Sequence, residues 1–201
     1  MKKLMMGFLI GILLMGVTAC GNTTAAKDVT ANFKNSVFIG DSITEGFVVN
    51  EILPKERVIA GAGATAGFTY DKIGALDEKK PDNVFIMLGS DDMLWPKGDP
   101  KVLFENDLTK LINKTKEEVP DSKIYLESIT PVTQEALNQE PRYKNIDEYN
   151  ELIKALAGKL SVNYVDIGAL AKENPELFAE DGVHFKKEFY QLWLKKLSKS
   201  L

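Results

Sequence analysis

From residue 36 onward, short apolar runs alternate with amphipathic stretches. The runs are Val37-Phe38-Ile39, Val58-Ile59-Ala60, Val84 to Leu88, Ile124-Tyr125-Leu126 and Tyr164 to Ile167. Each is short, rich in β-branched or aromatic residues and closed by Gly, Asp or Ser, the pattern of a buried strand. The third run is apolar at consecutive positions, as in a strand covered on both faces. Between the runs the period lengthens to about 3.6. Val102 to Val119 carries Leu103, Leu108, Leu111, Ile112 and Val119, with Asp99-Pro100 as a start signal. Ile146 to Leu160 carries Ile146, Tyr149, Ile153, Leu156 and Leu160. Glu188 to Leu201 carries Phe189, Tyr190, Trp193, Leu194 and Leu197, with lysines towards its C-terminal end. Alternating strands and helices predict a parallel sheet with right-handed crossovers. The expected fold is a three-layer α/β/α domain over residues 36–201, with five parallel strands in a flavodoxin-like order.

The first twenty residues follow another pattern. Met1-Lys2-Lys3 is basic, and Leu4 to Val17 is an uncharged apolar run. That run is shorter than the roughly 20 residues a spanning helix needs, and small residues follow it, so 1–19 reads as a secretory signal. Its Val17-Thr18-Ala19-Cys20 ending resembles the bacterial lipobox. The resemblance implies that Cys20 is lipidated and becomes the mature N-terminus. A two-chain lipid suffices for stable anchoring, which would hold the protein on the extracytoplasmic face of the cell membrane. Residues 20–35, after Cys20 small and polar, read as a flexible tether spanning roughly 20 Å.

Composition narrows the chemistry. The 201 residues carry a formal charge of −4, and 27% of them are charged, as in an ordinary soluble domain. One cysteine excludes an intramolecular disulfide and a Cys-based zinc site, and one histidine excludes a multi-His metal centre. Arg57 and Arg142 are the only arginines. With the acidic balance, this argues against nucleic-acid binding. Any imidazole chemistry falls to His184.

In open parallel sheets ligands bind beyond the carboxyl ends of the strands. After the first strand stands Gly40-Asp41-Ser42, which puts Ser42 near a helix N-terminus. There it can be a nucleophile beside free N–H groups, a plain helix cap, or part of a phosphate loop. After the second strand, Gly61-Ala62-Gly63-Ala64-Thr65-Ala66-Gly67 reads as a tight turn with close backbone approach, or as a weak dinucleotide motif with no acidic residue closing the next strand. After the third comes Gly89-Ser90-Asp91-Asp92, with Trp95 beyond it to line a pocket or cover the sheet end. Before the last helix, Asp181-Gly182-Val183-His184 lets a carboxylate fold back onto the imidazole, or forms a surface turn.

In this order the four segments resemble the SGNH (GDSL-type) hydrolases, a family of esterases and lipases. The resemblance covers roughly residues 36–197. It implies Ser42 as nucleophile, His184 as general base and Asp181 as the carboxylate that orients it. It implies the Ser42 and Gly63 N–H groups as oxyanion donors, with no metal and no cofactor. The family's third donor is an asparagine, and here that position is Asp91. An ionised carboxylate has no proton to donate and repels an oxyanion. Three arrangements stay open: a protonated Asp91, an Asp91 turned away, or a weak or inactive enzyme. The reading is a membrane-anchored serine esterase acting on small acyl or O-acetyl esters, including those of cell-envelope glycans. The alternatives are a non-catalytic lipoprotein that binds a glycan or protein partner, and a cofactor-binding flavodoxin-like domain. Nothing in the sequence sets the oligomeric state, for which a monomer is the default. Residues 130–145 form the longest irregular stretch, a length often tied to function.

Overall fold

A computed structural model describes residues 29–201. The expected signal segment and Cys20 lie outside the described residues. Five strands form one parallel sheet: β1 (Ser36–Gly40), β2 (Val58–Ala60), β3 (Asn83–Met87), β4 (Lys123–Glu127) and β5 (Asn163–Val165). Their spatial order is β2-β1-β3-β4-β5, the flavodoxin-like order expected. The helices are α1 (Ser42–Val49), α2 (Ala66–Tyr70), α3 (Leu76–Lys79), α4 (Pro100–Glu118), α5 (Gln134–Gln139), α6 (Ile146–Lys159), α7 (Gly168–Glu173) and α8 (Lys187–Leu197). Among the described residues no helix is long and apolar enough to cross a membrane.

Strand alternation sorts the core into two layers. Val37, Ile39, Val84, Ile86, Ile124 and Leu126 join one cluster with the inner faces of α4 and α6. Phe38, Phe85 and Tyr125 join the other with α1 and α8. These three rings sit at matched register on β1, β3 and β4. They stack in a row, with centroids 4.9 and 4.8 Å apart. Such cross-strand aromatic pairs fix which face of each strand looks inward.

Four details depart from expectation. Leu103 is not on the core face of α4; Phe104, Leu108, Leu111, Ile112 and Thr115 are, and Leu103 is 39% exposed. The last helix stops at Leu197, and the following turn brings the Ser200 carbonyl to the Tyr125 hydroxyl at 3.1 Å. Residues 130–145 are largely helical, comprising α5 and a 3₁₀ turn at Pro141–Asn145. Phe33, within the expected tether, is buried against Phe38 and Phe85.

Candidate active site

The carboxyl end of β1 runs directly into α1. Asp41 is the N-cap, and its Oδ1 accepts the Ile43 N–H at 2.9 Å. Ser42 is therefore the first helical residue and not the cap. Its N–H is one of four at a helix N-terminus without an intrahelical acceptor. Gly40 serves packing here, since a Cβ on it would lie 2.6 Å from the Met87 carbonyl and 2.1 Å from Thr44 Oγ1. α1 is pinned from the opposite side by Tyr190 of α8, whose hydroxyl donates to the Ile43 carbonyl at 3.0 Å.

The turn before α8 brings the sole histidine to this point. His184 Nε2 lies 2.8 Å from Ser42 Oγ, and Nδ1 lies 2.6 Å from Asp181 Oδ2. Asp181 Oδ1 accepts the Val183 and His184 N–H groups, each at 2.9 Å. Partial burial alone would raise the Asp181 carboxyl. The backbone N–H groups of His184 and Val183, with the imidazole, nevertheless hold it below the ordinary carboxylate range. The carboxylate is thus ionised and clamped by its own turn, so it fixes the imidazole plane and the Nδ1–H tautomer. Ser42, His184 and Asp181 form one hydrogen-bonded line.

The neighbouring parallel strands β2 and β3 end on the same edge of the sheet as β1. Gly63, in the turn after β2, has φ +71°, a left-handed conformation that favours glycine, and a Cβ there would meet nothing within 4 Å. The need at this position is conformational; in this glycine-rich segment the close approach falls at Gly67, where a Cβ would lie 2.9 Å from Asp107 Oδ2. The turn after β3 carries three neighbouring polar groups. Ser90 Oγ donates to Asp41 Oδ2. Asp92 Oδ1 accepts the Ala66 N–H at 3.0 Å. Burial pushes the Asp91 carboxyl up, while the nearby His184 pulls it down. Burial likewise raises Asp41 to about 6 and Asp92 to about 7, the other acids of the group adding to both.

The sequence profile of the GDSL-like lipase/acylhydrolase family matches residues 38–192. The chain belongs to this family. It is a serine ester hydrolase by that membership. A GDSL-like lipase from Bacteroides thetaiotaomicron is similar in fold, at 20% identity and a TM-score of 0.68, over 87% of this chain and 94% of that one. A lipase/acylhydrolase from Enterococcus faecalis is similar at 19% identity and a TM-score of 0.67, over 83% and 94%. An acetylxylan esterase from Geobacillus stearothermophilus is similar at 22% identity and a TM-score of 0.60, over 81% and 91%. No curated protein matches by sequence.

Within this GDSL-like hydrolase, residues 130–145 brace the site from both sides. The Thr133 N–H donates to the Gly182 carbonyl at 2.9 Å, which holds the His184 turn. The Arg142 Nη1 donates to the Leu94 carbonyl at 2.8 Å, which holds the turn after Asp91 and Asp92. Arg142 is itself fixed by Glu140, through Nε at 2.8 Å and Nη2 at 2.6 Å. Burial raises the Tyr143 hydroxyl, and the negative charge of Asp91 adds to it. Sequence reading singled out the segment but none of these residues. The available signal was Arg142 itself, one of two arginines, placed two residues after an acid.

Proposed function

We propose that this chain is a membrane-anchored, extracytoplasmic esterase that removes small acyl or O-acetyl groups through Ser42, His184 and Asp181. The observation that carries the reading is the Ser42–His184–Asp181 line, with contacts of 2.8 and 2.6 Å. Those distances are within the reach needed for proton transfer. Ser42 Oγ attacks the ester carbonyl carbon while His184 Nε2 takes the hydroxyl proton. Negative charge moves onto the carbonyl oxygen, facing the Ser42 and Gly63 N–H groups. His184 returns the proton to the departing alcohol, leaving an acyl group on Ser42. Water then attacks that acyl carbon, giving its proton to His184. The acid leaves, and the proton goes back to Ser42 Oγ. Asp181 stabilises the imidazolium in both halves. Support for an O-acetyl substrate comes from the fold shared with an acetylxylan esterase. The anchor rests on the Leu4 to Cys20 segment.

The purified protein should hydrolyse p-nitrophenyl acetate, with Ser42→Ala and His184→Ala each losing at least about 10³-fold in kcat. Activity unchanged in either variant overturns the assignment. Cys20→Ala should release the protein from the membrane fraction of the expressing cells; continued membrane association rejects the lipid anchor.

Asp91 favours a second reading. A carboxyl group stands where the family supplies an amide donor, beside the Asp41 and Asp92 carboxyls. In this reading the protein binds a glycan or partner and does not turn over an ester. Folded protein that is not labelled at Ser42 by a fluorophosphonate would select it.

A further inference from the structure

Leu103, the residue that breaks the expected core stripe of α4, points to a second site. It lines a cleft of about 370 Å³ together with Thr65, Phe68, Asp71, Trp95 and Asp107. Phe68 is 55% exposed and Trp95 39%. Their rings meet edge to face, with centroids 5.7 Å apart and planes at 75°. Two large aromatics thus form an open corner, with neither ring used by the core. Two residues of the cleft stand close in the chain to residues of the candidate site. Thr65 lies two residues past Gly63, and Asp92, which also lines the cleft, follows Asp91.

The lining selects among occupants. An alkyl chain would desolvate Asp71, Asp107 and Thr65 without giving them a hydrogen bond, which is unfavourable. A cation would find Asp107 already compensated, because Lys110 pairs with it at 3.1 Å, and would meet the charge of Lys114, which lies 4.4 Å from the Tyr70 ring beside the cleft. A neutral polyhydroxylated ring suits both parts of the surface. Its C–H face packs on the electron-rich face of an indole or phenyl ring. Its edge hydroxyls donate to the carboxylates. The volume lies at the small end of ligand sites, roughly 300–1,000 Å³, which suits one or two sugar rings and not a long polymer.

We propose that the Phe68–Trp95 cleft is a sugar-binding subsite that holds the carbohydrate part of an O-acylated substrate while the ester reaches Ser42. The inference rests on the ester-hydrolase reading only for what happens at Ser42. Binding in the cleft is separate from it.

Two measurements test the proposal and keep the two readings apart. The chain has two tryptophans, Trp95 and the fully buried Trp193. Intrinsic fluorescence therefore reports on Trp95 without any turnover. Titration of the full-length protein with methyl xyloside, methyl glucoside and N-acetylglucosamine should give a saturable change with at least one sugar. That change should disappear in Trp95→Ala. No saturable change with any of the three overturns the proposal, whatever the enzyme hydrolyses. In kinetics, Trp95→Ala and Phe68→Ala should lower kcat/KM on mono-O-acetylated methyl xyloside about ten-fold, the size of one good aromatic contact. p-Nitrophenyl acetate, which carries no sugar, should be hydrolysed within two-fold of the parent rate. Equal losses on both esters overturn the subsite. So does a preference for long-chain p-nitrophenyl esters that Trp95→Ala removes, because it puts the acyl chain in the cleft. If neither ester is hydrolysed while fluorescence still saturates, the esterase reading fails and the sugar site stands.

Discussion

Asp92 accepts the Ala66 N–H at 3.0 Å, and this contact ties the turn after β3 to the loop after β2. The first turn carries Asp91 and the second carries Gly63, so the proposed oxyanion side of the site depends on a buried carboxyl 26 residues from its partner. Removing that carboxyl leaves the Ala66 N–H buried without an acceptor, at a cost of about 1–3 kcal/mol. Asp92→Ala should lower the Tm and also lower kcat about ten-fold, with a smaller change in KM, because a loosened Gly63 N–H is felt most where charge develops. A variant that loses stability but keeps kcat would confine Asp92 to folding.

Asp91 sets a pH dependence of its own. Burial raises its carboxyl and His184 counteracts this, so the group gains a proton as pH falls towards its shifted range. Above that range it is an anion beside the developing oxyanion. Asp91→Asn restores an N–H donor at every pH. Its kcat should exceed that of the parent by about ten-fold at pH 8, below the roughly 10²–10³ that a whole oxyanion donor supplies. The advantage should shrink as pH falls from 8 to 5.5, the direction in which parent Asp91 takes up its proton. Paired pH–kcat profiles check this. A loss of activity in Asp91→Asn at both pH values would make the carboxylate itself a requirement.

Glu127 is a separate, structural acid. It ends β4, is 2% exposed, and accepts the Trp193 indole N–H at 3.3 Å. Burial raises its carboxyl from an ordinary 4.5 to about 8, the indole hydrogen bond only partly opposing this. The folded state therefore holds the proton more tightly than the unfolded chain. The stability this brings is full below pH 4.5 and is lost as pH rises through about 8. Glu127→Gln keeps an oxygen for the indole and never ionises. It should leave the Tm near that of the parent at pH 4.5 and raise stability at pH 8.5 by about 1–3 kcal/mol. Thermal melts at the two pH values decide it; an equal shift at both would remove ionisation as the cause.

What the sequence reveals and conceals about this protein follows one rule. Short apolar runs and period-3.6 patterns reported burial, so β1 to β5, α4, α6 and α8 were legible within a few residues. The parallel sense of the sheet followed from the alternation itself, whereas the order β2-β1-β3-β4-β5 is one of several that alternation permits. Ser42, Asp181 and His184 were singled out through the resemblance to the SGNH pattern, since each local pattern also fitted a cap or a plain turn, and the structure brings the three side chains together. Leu103 was misread since a helical stripe tolerates one extra apolar residue, and only packing shows that Phe104 points inward. Arg142, Thr133 and Asp92 act through backbone groups of distant turns. A hydrogen bond to a carbonyl or an N–H does not name its partner in the identity of the residue that supplies it, so the rarity of Arg142 was a signal but what each of the three residues braces was not readable. The Phe68–Trp95 corner joins α2 to the end of a 3₁₀ turn 27 residues away, a proximity that no local pattern encodes.

The last test concerns the turn that presents the imidazole. Gly182 has φ +69°, and a Cβ on it would lie 2.1 Å from Thr133 Oγ1. Two separable costs follow for Gly182→Ala. Holding an L-residue in the left-handed region costs about 1–2 kcal/mol, and the overlap forces the turn away from Thr133. Because His184 and Asp181 sit on this turn, displacement should reach Ser42 and lower kcat by at least about ten-fold, a loss typical of sub-ångström to ångström misplacement. Thr133→Ala removes the colliding oxygen. It also removes the cap that Thr133 Oγ1 gives the Ala136 N–H at 3.3 Å, so its own stability cost should be about 0.5–2 kcal/mol. In the Thr133→Ala background the further cost of Gly182→Ala should shrink towards the backbone part alone, and kcat should partly recover. A double-mutant cycle on Tm and kcat measures that coupling. Additive effects would mean that Thr133 does not set the position of the His184 turn.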